Sequence, residues 1–158
     1  MLLDGTHTAF EPMAEWLLIE AARSQHVREV LRPALARGAF VLCDRFSDST
    51  EAYQVGGRGL DAALVAELDE RVRGGLGPDL TLLFDLDASD GLARARRRDS
   101  GAGRFEAAEL EFHERVRAAF LAIARREPAR VAVVSAADPV DMVFDRAWRA
   151  LATRFGLP

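Results

Sequence analysis

Apolar residues follow two rhythms along this chain. Three short, unbroken runs, AFVLC (39–43), DLTLLFDL (79–86) and VAVVS (131–135), are bounded by Gly, Pro or charge. Such runs predict strands buried on both faces. Between them lie longer stretches with apolar residues every third or fourth position. MAEWLLIEAARSQHVREVL (13–31) is rich in helix formers and free of Gly and Pro, and it places Ile19, Arg23, Val27 and Val30 on one face. Pro33 predicts a kink or restart, and Gly38 a stop. Segments 59–77, 88–98, 105–127 and 139–155 predict four further helices. The alternation predicts an α/β fold, a parallel sheet covered by helices on both faces. Ligands of such sheets bind beyond the carboxyl ends of the strands. Asp44 and Arg45 stand at that position, directly after the first run.

Composition narrows the classes. A length of 158 residues suits one domain with one core. The net charge of −4 excludes a polyanion-binding surface spread over the whole molecule, so no nucleic-acid partner is expected and any phosphate site must be local. No apolar run approaches the roughly 18–20 residues of a membrane span. MLLDGTHTAF has no basic region followed by an apolar stretch, so no signal peptide is expected and the expected location is cytoplasmic. All 21 basic residues are Arg. These residues therefore exclude a Lys-dependent phosphate loop of the GxxxxGK[ST] type. The single Cys43, inside an apolar run, is expected to be a small core residue.

Several residue groups suggest chemistry. A carboxylate at a strand end, here Asp44, can hold a magnesium ion directly or through water beside phosphates. The planar fork of the adjacent Arg45 matches a phosphate. DSTEAYQ (48–54) supplies hydroxyls, an aromatic ring and an amide, groups suited to a nucleobase edge, although Ser–Thr–Glu also reads as a helix start. Arg23 on an apolar face needs a partner or must snorkel. RARRRDSGAGR (94–104) is either a solvated helix end or a mobile lid neutralising phosphoryl charge. Phe112, Phe120 and Trp148 sit at helical spacing and are expected in the core.

In order, RSQHVREVLRPAL, VLCDRFSDSTEAYQ, GRGL, PDLTLLFDL, RARRR…RFE and FHERVR strongly resemble bacterial thymidylate kinase from about residue 14 onward. The resemblance implies the P-loop nucleoside-monophosphate-kinase fold, a three-layer αβα parallel sheet with a lid at about 94–106. It also implies transfer of the ATP γ-phosphoryl group to dTMP with Mg2+. On it, Arg45 corresponds to the dTMP phosphate ligand and Asp44 to the carboxylate near magnesium. Arg23 corresponds to a thymine contact, which would make the nucleotide the partner of that charge. Thr50, Tyr53 and Gln54 line the base and sugar, Ile19 stands where the family usually stacks a Phe, and Arg94, Arg96 and Arg104 correspond to lid arginines. A single partial domain over 1–158 is expected, missing the family's first two strands and phosphate loop, which puts turnover by these residues in doubt. Strands 39–43 and 79–86 would then face a gap where a central strand belongs. Small-molecule nucleotides are the expected partners, and a homodimer is allowed. The alternative reading is a non-catalytic nucleotide-binding remnant or pseudokinase acting through interactions.

Overall fold

The computed structural model describes residues 10–98 and 107–158. The chain divides after Gly77 into two units.

The first unit is helical. Helix α1, Pro12–His26, begins at Glu11, whose carboxylate accepts from the Met13 and Ala14 amides while Pro12 occupies the first turn. A wider π-helical turn, Val27–Leu31, joins it to α2, Arg32–Ala36. Pro33 has no N–H and crowds the preceding turn. The helix accommodates it by widening, with the Arg32 amide bonding the Val27 carbonyl five residues back, rather than by breaking. Helix α3, Ser47–Thr50, runs into a second π-helical segment, Glu51–Gly57. Helix α4, Ala62–Arg73, is capped by the Asp61 carboxylate on the Leu64 amide (2.7 Å). It ends at left-handed Gly74, and Arg32 donates to the Arg73 and Gly74 carbonyls at 2.9 and 2.7 Å. Helix α4 packs against α1 and against the segment 51–57. Trp16, Val27, Leu31, Ala52 and Val65 are buried in this unit.

The second unit is α/β. Strands β1, Thr81–Asp85, and β2, Val131–Ser135, pair in parallel with Thr81 opposite Val131 and Asp85 opposite Ser135. Helices α5, Ala88–Arg98, α6, Ala107–Arg126, and α7, Val140–Phe155, complete it. Helix α6 packs on both strands and α7 on β2. Ile123, Ala124 and Val131 form the core, with Leu83 and Phe120 against them.

Three expectations fail here. Residues 39–43 form no strand. They have no ladder partner among the described residues, and Phe40 and Leu42 are 73% and 91% exposed. An apolar run acquires strand structure only when a neighbour accepts its backbone hydrogen bonds, which its own sequence cannot supply. Cys43 is exposed for the same reason, its thiol donating to the Arg45 carbonyl at 3.3 Å. Trp148 is an exposed residue of α7, 44% accessible, rather than core. Amide hydrogen exchange should therefore separate the three apolar runs. The β1–β2 ladder should be protected, while the Leu42 amide exchanges at a rate near that of an unstructured chain. Comparable protection in all three would show that 39–43 is paired.

Candidate acceptor and ion-pair sites

The Asp44–Arg45 pair lies in a bend between the unpaired run and α3, and both residues are exposed. Arg45 has φ of +68°, and it is the non-glycine residue with positive φ among the described residues. A long, charged residue held in this region costs on the order of 1–3 kcal/mol and persists only where its surroundings over-determine it. The Arg45 guanidinium lies over the Tyr53 ring, 4.9 Å from its centroid. Tyr53 and Gln54 sit in the π-helical segment, a distortion that re-aims side chains and recurs at functional sites. Gln54 is buried and donates its amide to the Glu15 carboxylate at 3.3 Å, and the other oxygen of Glu15 accepts from Arg58 at 3.3 Å. A carboxylate accepts only, so the Gln54 carbonyl oxygen must point away from Glu15; it is buried and unpartnered. Ile19 is half-buried on α1.

Arg23 resolves differently from expectation. It is 8% exposed, and its partners are protein groups. Nη1 donates to Glu20 on its own helix and to Asp69 on α4 (2.9 Å). Nη2 donates to the Thr50 hydroxyl (2.6 Å) and the Phe46 carbonyl (3.3 Å), and the guanidinium stacks 5.5 Å from the centre of the Phe46 ring. The Arg23 charge is thus balanced by two carboxylates, with no snorkelling. Asp69 also accepts from Arg73 at 2.6 Å. Burial pushes the Glu20 carboxyl above the usual carboxylate range, against the downward pull of Arg23, while Asp69 pushes it further up. The Trp16 indole N–H approaches Glu20 without hydrogen-bond geometry, and the second Glu20 oxygen is buried and unpartnered. Sequence reasoning missed Glu20 and Asp69. The signal for Glu20 was present, a carboxylate three residues before Arg23 on the same helix; Asp69 comes from another helix and had no local signal.

Asp44 is an exposed carboxylate in the bend before α3. No group of three or more metal-ligating side chains occurs among the described residues. Magnesium beside phosphates needs only one or two carboxylates, water and the phosphates themselves, so Asp44 fits that donor set.

In the second unit Arg94 donates to the Ala136 and Ala137 carbonyls at 2.9 and 3.4 Å, tying α5 to the turn after β2. The side chain of Arg96, all of Arg104 and most of the segment expected to be a lid lie outside the described residues. A cluster missed by the sequence reading sits at the carboxyl end of β1. Arg117 grips Asp85 with two bonds, 2.7 and 3.1 Å, and reaches Asp87 at 3.1 Å. These hydrogen bonds hold the Asp85 carboxyl below its usual range; Asp87 is lowered chiefly by the Ser89 hydroxyl and amide. Because the folded value of Asp85 is depressed, the pairing contributes stability above the ordinary carboxylate pKa. That contribution disappears as pH falls through the folded value. Arg117→Ala should raise the Asp85 titration midpoint toward the ordinary carboxylate range in carboxyl NMR. Its stability deficit should be largest near neutrality and shrink in acid. A deficit independent of pH would show that Arg117 acts by packing alone.

Comparison with known proteins bears on these clusters. Residues 1–147 match a family model described as Thymidylate kinase. A thymidylate kinase of Magnetococcus marinus is 50% identical over 155 residues, covering 98% of this chain and 74% of that protein. One from Cereibacter sphaeroides is 53% identical over 156 residues, with 96% and 72% covered. The crystal structure of thymidylate kinase from Ehrlichia chaffeensis superposes with a TM-score of 0.73 at 27% identity, covering 94% of this chain and 69% of that one.

Proposed function

Since this chain belongs to the thymidylate kinase family, we propose that the turn Asp44–Arg45–Phe46 and the segment 50–54 are its dTMP acceptor site. The family's members are nucleoside monophosphate kinases with ATP as phosphate donor, and its P-loop kinase fold is the one this chain shares. The family match crosses both units, which supports reading residues 1–158 as parts of one kinase domain. The comparisons do not favour the non-catalytic alternative.

The observation that carries the acceptor assignment is the backbone of Arg45. A strained, exposed Arg beside an exposed Asp is retained where a ligand needs its fork, and Tyr53 supports the guanidinium from one side. In this reading Arg45 grips the dTMP phosphate, while Thr50, Tyr53 and Gln54 border the base and sugar. The Gln54 oxygen is a buried acceptor without a protein partner, next to Tyr53 in the chain. Ile19 would offer the base aliphatic contact in place of ring stacking. Arg23 enters the site through Thr50 rather than as an unengaged donor. Asp44 would hold Mg2+, in part through water; the ion when bound neutralises phosphate charge. Arg94, with Arg96 and Arg104, would serve phosphoryl charge from the lid. No described helix is long and apolar enough to cross a membrane, and we take the cytoplasm as the location, with small nucleotides as partners and a homodimer as an assembly the family resemblance allows.

Titration calorimetry with dTMP tests the assignment. The parent chain should bind dTMP. Arg45→Ala should lose roughly 1.5–3 kcal/mol of binding, the contribution of a charge-assisted hydrogen bond. Arg45→Gly should lose binding equally while retaining or gaining thermal stability, because glycine adopts positive φ without strain. A stable parent chain that does not bind dTMP, or an Arg45→Ala variant with undiminished affinity, would remove the reading.

A further inference from the structure

The cluster Glu20–Arg23–Asp69 is the most buried charged group in the first unit, and the acceptor roles above give two of its members nothing to do. Glu20 and Asp69 are 2% and 7% exposed and come from different helices, α1 and α4. Both contact the same guanidinium nitrogen, Nη1 of Arg23. The opposite nitrogen, Nη2, meets the Phe46 carbonyl and the Thr50 hydroxyl, at the two ends of α3. A guanidinium is planar and rigid, so fixing one nitrogen fixes the direction of the other.

We propose that Glu20 and Asp69 are positioning residues of the acceptor site, holding Arg23 so that it seats the Phe46 carbonyl and thereby sets the backbone of Arg45 for a nucleoside monophosphate. The inference rests on reading Arg45 as the phosphate ligand. Its physical basis is the strain at Arg45. A positive φ at a non-glycine residue relaxes unless its flanks are held. On the carboxyl side the hold is Arg23, through the next residue's carbonyl and through the Phe46 ring. On the amino side residues 39–43 have no strand ladder among the described residues, and their contact with Arg45 is the single Cys43 thiol donating to its carbonyl at 3.3 Å. Arg23 can serve only if its charge is compensated in the interior, since an unpaired buried guanidinium is disfavoured. Two carboxylates from two helices compensate it and triangulate it. Neither needs to touch the nucleotide.

A readout that needs no ligand exists because Tyr53 is the chain's single tyrosine. Its ring lies under Arg45, so ring-labelled tyrosine gives one set of NMR signals reporting how Arg45 is seated. The 158-residue chain would be compared with Glu20→Gln and Asp69→Asn, both near-isosteric, with circular dichroism confirming helix content. Each variant should shift or broaden the Tyr53 signals. Each should also weaken dTMP by about tenfold, the scale of a charge-assisted bond, while thymidine, which lacks the phosphate, changes much less. Two folded variants with unmoved Tyr53 signals would overturn the proposal. So would equal losses for dTMP and thymidine, since that would place the effect at the base. If one variant fails to fold, the other decides. If the parent binds neither ligand, the acceptor reading fails separately, and the Tyr53 signals still show whether Glu20 and Asp69 position the turn.

Discussion

A buried positive charge must be neutralised where it lies, and in the first unit that requirement falls on Arg23. Its guanidinium joins α1 to α4 through Asp69 and to the start of α3 through Phe46 and Thr50. Asp69 extends the chain of charges to Arg73, which also holds Glu70 and the Leu76 carbonyl beyond the end of α4. Removing one partner of such a group leaves an uncompensated interior charge, which costs about 3–5 kcal/mol, more than exposed pairs contribute. By contrast, the ion pairs of Arg28 with Glu29 and Arg71 with Glu67 are largely exposed and decide little.

The same requirement explains how a strained turn can sit beside a segment without a strand ladder. In a parallel sheet, a residue following a strand is usually placed by the strand. Here 39–43 has no ladder, so the turn at 44–46 is positioned from its carboxyl side, by helices. The π-helical segment 51–57 contributes by swinging Tyr53 under Arg45 and burying Gln54 against Glu15. The acceptor geometry is in this sense a helical construction.

The second unit uses a parallel logic at an exposed site. Arg117 of α6 holds the last residue of β1, Asp85, and Asp87 beyond it, and Arg94 of α5 holds the two carbonyls after β2. In each case an arginine from a helix organises the chain leaving a strand. The all-arginine basic complement suits this use, because the guanidinium supplies several donors in fixed directions where an ammonium would supply a point charge.

The sequence alone determined much of this. Helix positions followed from spacing, caps and glycines, which are local properties: α1 begins at its Pro and acidic cap, and α4 ends at Gly74. Of the three apolar runs expected to be strands, two are strands. The ordered motifs pointed by themselves to the thymidylate kinase family, because their residue types and order are written in the chain. Tertiary structure decided what depends on partners distant in sequence. AFVLC is as strand-like as VAVVS, yet only the latter has a neighbour to accept its hydrogen bonds. Arg23 looked like a ligand-seeking charge because Asp69 lies forty-six residues away, too far for any local pattern to pair them. Arg45 was legible as a phosphate ligand in type and place, but its positive φ was not. Backbone strain belongs to the balance of forces across the folded unit rather than to the residue itself.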